Sequence, residues 1–334
     1  MKILQDNGFQ SYLVGGSVRD MLMNKKPKDY DICTNAFPSQ VKSLFKKVIP
    51  TGEKHGTVTV VLPEDKIEVT TMRRDGIYKD RRHPEEVIYT NNLKEDVARR
   101  DFTMNSIAID LNDSIYDYFD GVESINNKYI VTVNNADDRF TEDALRMMRA
   151  IRFAVQLDFK IEEKTKQSII KNSNLITHIS QERIRDELCK ILLSDFPSRG
   201  IKLLRDCGLL QYIIPELQKC VNFDQYNIHH HKNVFDHIMI VLDNTPKDLI
   251  IRLSALLHDI AKPIVFSIGE DGVGHFYKHH LEGEILAEDI LKRLKYDNKT
   301  VDTVKLLVRH HMDRYDFLRT NSIKKFINRV ALKI

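Results

Sequence analysis

Apolar residues recur along this chain with two periods, and the change of period divides it. Over the first third they alternate or form short blocks. Tyr12, Leu13 and Val14 run together, Tyr30 and Ile32 alternate with Asp29 and Asp31, and residues 56–62 read GTVTVVL and 66–71 read KIEVTT. Period two with β-branched residues predicts strands. Val18, Met21 and Leu22, and then Val41, Leu44, Phe45 and Val48, instead recur every three or four positions. That spacing predicts a helix after Gly16 and another over residues 37–48, with Pro38 in its first turn. From residue 141 the helical period dominates. TEDALRMMRAIRFA places Ala144, Leu145, Met147, Met148, Ile151 and Ala154 on one side behind Thr141 as N-cap, with Glu142 and Asp143 in the first turn. Further helical patterns follow to about residue 217, with Gly208 and Pro215 as natural ends. The pattern predicts an α/β head over 1–136 and a helical neck and body over 137–225, with a third domain over 226–334.

Composition narrows the class. With 334 residues the chain is long enough for two or three cores. A hydrophobic share of 42% and a charged share of 30% exclude a disordered chain. The 51 basic and 48 acidic residues leave a net charge of only +3, so any nucleic-acid surface must be local. Cys33, Cys189, Cys207 and Cys220 lie far apart without metal-type or redox-type pairing, which predicts reduced thiols. The N-terminus MKILQDNGF has no signal-type apolar core and no stretch suits a bilayer, so a cytoplasmic protein without membrane contact is expected.

The candidate chemistry begins at LVGGSVRD and DYDI. On a strand, Asp29 and Asp31 would share one face, and two carboxylates so close repel unless a cation lies between them. Mg²⁺ takes a few carboxylate oxygens together with substrate phosphates. Gly15 and Gly16 permit close backbone approach, and the N–H groups opening the next helix favour an anion. Phosphate on the glycine turn and metal on the aspartates describe a nucleoside triphosphate site. Taken singly, a Gly-Gly turn or an Asp-x-Asp strand end is ordinary structure. In combination, GGSVRD followed by DYDICT resembles the head of the nucleotidyltransferase superfamily, in the branch of bacterial tRNA CCA-adding enzymes and poly(A) polymerases. The resemblance implies a polymerase-β-like head with Asp29 and Asp31 as catalytic Mg²⁺ ligands and with Gly16 and Arg19 on the phosphates.

Glu68 falls on the strand 66–71, as a third carboxylate or as an exposed strand residue. Lys54-His55-Gly56-Thr57 also resembles the CCA-adding branch, and the RRF-type signature of poly(A) polymerases does not follow. Residues 73–89 are charged, apolar-poor and broken by Gly76 and Pro84, as expected of a loop over a site. Arg73, Arg74, Lys79, Arg81 and Arg82 could meet triphosphate or RNA backbone, or simply solvent. In the resembled family such a loop helps the enzyme advance through its addition cycle. The motif RRDFTMN implies that Arg100 contacts nucleotide and Asp101 shapes the pocket. EDALRMMRAIRF matches the family's neck motif, in which Asp143 and Arg146 pair with the Watson–Crick edge of the incoming base. Cytosine and adenine each present an amino group beside an acceptor nitrogen, so an Asp–Arg pair can select both. Arg149 and Arg152 are then expected to hold phosphates or to stabilise the same helix, and Ser180, Arg183, Arg185 and Glu187 to brace it.

From about residue 225, ten of the thirteen histidines appear: His229, His230, His231, His237, His258, His275, His279, His280, His310 and His311. Imidazole is a common transition-metal ligand, and His258–Asp259 offers two ligand types side by side. The segment resembles an HD domain, which implies an all-α metal-dependent phosphohydrolase fold over 226–334. His237, His258, Asp259, Lys262 and His279 match, with His311 near the last ligand, although Met312 stands where the final Asp is expected and Asp313 follows. A second divalent transition metal on His237, His258, Asp259, His279 and His311 is implied, while His229–His231 reads as a loop. The chain ends within the helical pattern KKFINRVALKI, where the family carries further helices for the tRNA elbow, so a fragment or shortened variant is expected. The function implied is template-independent addition of C and A to the tRNA 3′ end from CTP and ATP, releasing pyrophosphate. The alternatives are a poly(A) polymerase, an HD phosphohydrolase whose head only binds nucleotide, and a tRNA-binding module without catalysis.

Overall fold

The computed structural model describes residues 1–63, 65–76, 87–224, 233–270 and 272–313. Packing separates two units: residues 1–146 with 159–168, and residues 147–158 with 169 onward.

The first unit opens with α1 (Lys2–Asp6), β1 (Ser11–Val14), α2 (Gly16–Leu22), β2 (Tyr30–Thr34) and α3 (Pro38–Leu44). Next come β3 (Val48–Gly52), β4 (Thr57–Val61), β5 (Lys66–Thr71), β6 (Arg73–Asp75) and β7 (Val87–Tyr89). It continues through α4 (Leu93–Ala98), β8 (Ile107–Ile109), β9 (Ile115–Asp117), α5 (Gly121–Asn126), β10 (Tyr129–Ile130) and α6 (Ala136–Glu142). Seven strands form one mixed sheet in the order β3-β4-β5-β2-β1-β8-β9, and β6 pairs with β7 alone. Strand β2 runs antiparallel to β1 and parallel to β5, with Asp31 opposite Val14 on one side and Glu68 on the other.

Alternation along β2 separates two cores. Ile32 packs with Leu4, Val41, Val58, Val60 and Val69. Cys33 packs with Val14, Met72, Leu93, Val97 and Ala108. Since Asp31 has the parity of Cys33, its side chain belongs to the face covered by α4. The C-terminal end of α4 therefore reaches the acidic end of β2, which places Arg99 and Arg100 there.

Two boundaries differ from the sequence expectation. The helix over 37–48 ends at Leu44, Phe45 turns extended (φ −122°, ψ 139°), and Val48 begins β3. Phe45 and Val48 still pack against the Ile32 core, so helical and extended spacing both direct them inward. Pro50 is tolerated because β3 is an edge strand. Thr141 does not cap a helix either. It lies inside α6, with Oγ1 donating to the Asp137 carbonyl at 2.8 Å, and the break comes at Asp143. There the Asp143 carboxylate accepts from the Leu145 amide at 3.1 Å, and α7 (Leu145–Leu157) begins.

After α7, β11 (Lys160–Ile161) returns to the first unit and pairs in parallel with β10. It leads into α8 (Glu163–Asn172). Among the described residues the second unit is helical apart from a short two-stranded ribbon. It contains α9 (Gln181–Leu192), α10 (Pro197–Asp206), α11 (Leu210–Ile213), α12 (Pro215–Gln218) and α13 (Val234–Asp243). Then follow α14 (Leu249–Leu257), α15 (Lys262–Val265), α16 (His279–Arg293) and α17 (Asn298–His310). None of the four cysteines forms a disulfide with another described residue, and Cys33, Cys207 and Cys220 are buried. Among the described residues no helix is long and apolar enough to cross a membrane.

Candidate active site and metal centre

Asp31 is half-buried on β2, whereas Asp29 is exposed in the bend one residue before the strand. Both therefore sit at the mouth of β2, but only Asp31 is held by the ladder. Burial pushes the Asp31 carboxyl up, Arg100 opposes that rise, and Asp29 adds to it. Glu68 behaves in the same way: burial raises it, then Asp31 and Asp29 raise it further. Three carboxylates feel one another's charge here. A set of hard oxygens with unrelieved negative charge fits a divalent cation such as Mg²⁺.

The glycine turn meets this cluster directly. Gly15 has φ 75°, and a Cβ built on it would lie 2.9 Å from Arg100 Nη1 and 3.4 Å from Asp31 Oδ2. Both the backbone conformation and the close approach require glycine there. Gly15→Ala is expected to destabilise the chain by about 1–2 kcal/mol from backbone strain alone, with Arg100 displaced as well. Urea unfolding beside a nucleotide-binding titration checks this, and an unchanged midpoint with unchanged binding would contradict it. Gly16 is sterically less demanding, since its added Cβ would meet only the Arg19 guanidinium, at 3.5 Å or more. Arg19 itself is 8% exposed. It donates to Asp20 Oδ1 at 2.7 and 2.9 Å and to Asn105 Oδ1 at 2.8 Å. Asn105 in turn donates to Asp101 at 3.0 Å. Arg19 and Asp101 thus belong to one buried network beneath the turn.

The two arginines of the ARRD stretch share a counter-ion one helical turn earlier, which the sequence presents as a surface ion pair and the structure buries. Asp96, fully buried on α4, accepts from Arg99 Nη2 at 2.8 Å and from the Arg73 amide at 3.2 Å. Burial alone would raise its carboxyl, but Arg99 and Arg100 outweigh that and hold it below the usual range.

Beside Arg99 opens a cavity of about 240 Å³, lined by Arg74, Glu95, Asn134, Arg139 and Glu142 among others. Glu142 bridges two arginines: Arg139 donates to Oε1, and Arg146 Nη1 donates to Oε2 at 2.5 Å. Arg146 also reaches the carbonyls of Arg139 at 3.1 Å and Arg99 at 3.3 Å. Hence Arg146 is anchored at the Arg99–Arg100 corner, while the Asp143 carboxylate faces the start of α7. The spacing Arg139, Glu142, Arg146 is the i,i+3 and i,i+4 signature of helix-face ion pairing. That signal was available in the sequence, where Glu142 was read only as a first-turn acid.

The remaining neck arginines lie in the second unit. Arg152 Nε is 2.7 Å from Glu187 Oε2 of α9, and its guanidinium lies 4.0 Å over the Phe153 ring. Arg149 sits 5.5 Å over the same ring. Their visible contacts brace α7. Lys79, Arg81, Arg82, His229, His230 and His231 lie outside the described residues.

The histidines of the second unit converge on Asp259, which is 2% exposed. His258 Nε2 is 3.3 Å from His237 Nε2, and His279 Nε2 is 3.1 Å from His311 Nε2. Asp259 lies between the pairs. Its Oδ2 is 3.2 Å from His258 and 3.5 Å from His237, while Oδ1 is 3.4 Å from His279 and 3.6 Å from His311. The Nδ1 atoms of His258, His279 and His311 face the carbonyls of Ala255, Phe276 and Val308 at 2.8, 2.8 and 2.6 Å. A proton on each Nδ1 leaves the Nε2 lone pairs pointing inward, as transition-metal ligation requires. Burial would raise Asp259, but the imidazoles of His258 and His311 and the Lys262 ammonium around it hold it far below the usual carboxylate range. Two three-ligand groups result, His237–His258–Asp259 and Asp259–His279–His311. Their imidazole and carboxylate donors fit a divalent first-row metal. Asp313, one residue past the expected last ligand, accepts instead from His310 Nδ1 at 2.8 Å.

Comparison with known proteins matches three family models: the poly A polymerase head domain over residues 11–131, a probable RNA and SrmB-binding site of polymerase A over 158–220, and an HD domain over 227–328. A CCA-adding enzyme of Geobacillus kaustophilus is 49% identical over 210 residues, 63% of this chain and 52% of the relative. One from Lactobacillus johnsonii is 45% identical over 213 residues, 64% of this chain and 54% of the relative. The chain thus spans about half the length of the curated relatives it matches. The crystal structure of the Bacillus stearothermophilus CCA-adding enzyme in complex with CTP superposes with a TM-score of 0.67 at 33% identity, covering 94% of this chain and 68% of that one.

Proposed function

This chain belongs to the family of CCA-adding enzymes, and on that premise we propose that it adds C and A nucleotides to the 3′ end of tRNA from CTP and ATP, releasing pyrophosphate, in the cytoplasm. The observation that carries the reading is the meeting of Asp31, Glu68 and Asp29 with the Gly15 turn and Arg100. Asp29 and Asp31 would hold Mg²⁺, which when bound supplies the Lewis acidity that activates the RNA 3′-hydroxyl and stabilises the departing pyrophosphate. Arg100, with its Nη1 edge at Gly15, binds triphosphate oxygens in the fork geometry that arginine suits. The Gly15 turn admits the phosphates without a side chain in their way, and the network of Arg19, Asn105 and Asp101 keeps the turn in place. Asp143 accepts from the base's exocyclic amine, and Arg146, held by Glu142, donates to the neighbouring acceptor.

The direct test incubates tRNA lacking its 3′ end with CTP alone, ATP alone and both, and sequences the products. CTP alone should yield two added cytidines, and the mixture a complete CCA. Long adenosine tails, with CTP ignored, would indicate a poly(A) polymerase instead. Arg146→Ala is expected to reduce discrimination for C and A over U and G by about 10–100-fold, the worth of a charge-assisted hydrogen bond, with Mg²⁺ affinity retained. Unchanged base preference in a competition assay would refute the pairing role.

A second reading is carried by the ring nitrogens facing one another across Asp259. His237, His258, Asp259, His279 and His311 would hold a divalent transition metal for phosphohydrolase chemistry. Phosphate release that persists after Asp29→Ala and Asp31→Ala, and disappears after His258→Ala, would establish it as a separate activity.

A further inference from the structure

We propose that Asp96 is the positioning residue that aims Arg100 at the nucleotide. Asp96 does not reach the carboxylate cluster itself. It lies fully buried in the middle of α4, and it engages Arg99, Arg100 and the first residue of β6. One oxygen, Oδ1, accepts from Arg99 Nε at 3.0 Å, from Arg99 Nη2 at 2.8 Å and from the Arg73 amide at 3.2 Å. The other, Oδ2, lies 3.5 Å from Arg100 Nη2. Arg100 therefore turns its Nη2 edge inward to Asp96 and presents Nη1 at the Gly15 turn, where an added Cβ would come within 2.9 Å. Arg100 Nε and Asp96 Oδ2 are both buried with no hydrogen-bond partner among the described residues, so the two side chains are held together by opposite charge at 3.5 Å and not by a hydrogen bond.

A guanidinium on a flexible stem loses rotamer freedom when it grips phosphate, and one already held by a buried counter-ion loses less. Asp96 supplies that pre-organisation. Its other oxygen, Oδ1, holds the Arg73 amide, so the start of β6 and the phosphate-facing arginine share one carboxylate as anchor. This inference rests on reading the Asp31–Arg100 corner as a triphosphate site.

The experiment titrates Mg–CTP calorimetrically into four full-length proteins: wild type, Asp96→Asn, Arg100→Ala and the double variant. Thermal unfolding of each is recorded alongside. Asp96→Asn keeps an acceptor for the Arg73 amide but removes the charge. It is expected to weaken CTP binding about tenfold and to raise KM with little change in kcat. In the double variant the loss should not exceed that of Arg100→Ala alone, because Asp96 acts through Arg100. Wild-type CTP affinity in Asp96→Asn, or losses that multiply in the double variant, would overturn the proposal even if the melting temperature fell. Should Asp96→Asn fail to fold, Asp96→Glu keeps the charge but moves it by one methylene, and wild-type affinity there would overturn the proposal equally. If wild type does not bind CTP, or Arg100→Ala binds it normally, the triphosphate reading itself fails and takes this inference with it.

Discussion

Asp31→Asn is expected to cut nucleotide transfer by about 10²–10⁴-fold, the equivalent of the several kcal/mol that a metal's charge stabilisation supplies to a transition state. The amide keeps the shape and one oxygen of the carboxylate but not its charge. Asp31 is the ladder-held member of the aspartate pair, flanked by Val14 and Glu68 on neighbouring strands. Asp29 and Glu68 would remain, but Asp29 precedes the strand and Glu68 is one strand away. Single-turnover extension of a tRNA lacking its terminal adenosine measures the effect, and transfer within tenfold of wild type would remove Asp31 from the metal site.

The same substitution should stabilise the metal-free chain, and the sign follows from the direction of the shifts. Burial raises Asp31 and Glu68 above their ordinary 3.8 and 4.5, so in that range the folded chain holds more protons than the unfolded one. Stability tied to these groups is complete below the ordinary values and is lost as pH climbs through the raised ones. Asp96 and Asp259 are shifted downward and contribute in the opposite sense. The informative quantity is therefore the difference between wild type and Asp31→Asn. Without metal, the variant's advantage should grow from pH 4 to neutrality. Added Mg²⁺ should reverse it, because only wild type gains binding free energy.

Strand positions were legible wherever alternation coincided with β-branched residues, and 66–71 was located to the residue as β5. Periodicity failed where two periods bury the same positions: Phe45 and Val48 face one core whether the backbone is helical or extended. It failed again at Thr141, whose hydroxyl bonds back to Asp137 inside α6 while Asp143 starts the next helix. Residues that form a local motif could be singled out directly, as with Asp31, Arg100 and the His258–Asp259 pair, and the structure sets Arg100 beside Asp31 and gathers histidines around Asp259. Helical spacing marks Asp96 as a partner of Arg99 and Arg100, but not its burial, and nothing local marks a partner far along the chain. Asp96 looks like a surface helix acid until the sheet places it beneath two arginines. Arg152 looks like an exposed base until Glu187, far along the chain, comes within 2.7 Å. Likewise, sequence spacing names the histidines but not their division, with His237 and His258 on one oxygen of Asp259 and His279 and His311 on the other.

Asp259→Ala should destabilise the metal-free chain by about 3–5 kcal/mol, the usual result of stripping one partner from a buried ion pair. Lys262 Nζ lies 2.8 Å from Asp259 Oδ2 and is itself 8% exposed as a residue, so the truncation leaves a buried ammonium without its nearest counter-charge. The two imidazole pairs would also lose the carboxylate between them. Because the Asp259 carboxyl is held far below its ordinary 3.8, its contribution is complete above that value and declines only as pH falls toward the depressed one. The gap between wild type and variant in urea unfolding should therefore be constant through neutrality and narrow in acid. A divalent transition metal should widen it, since imidazoles anchored through Nδ1 can bind the ion only where Asp259 completes the set. Asp259→Asn separates the two contributions: it refills the space and keeps an acceptor for Lys262, so much of the metal-free stability should return while the metal-induced gain stays lost. A full metal response in Asp259→Asn would show that the ion does not need the Asp259 carboxylate, and the lack of any metal response in wild type would show that the cluster serves packing and not an ion.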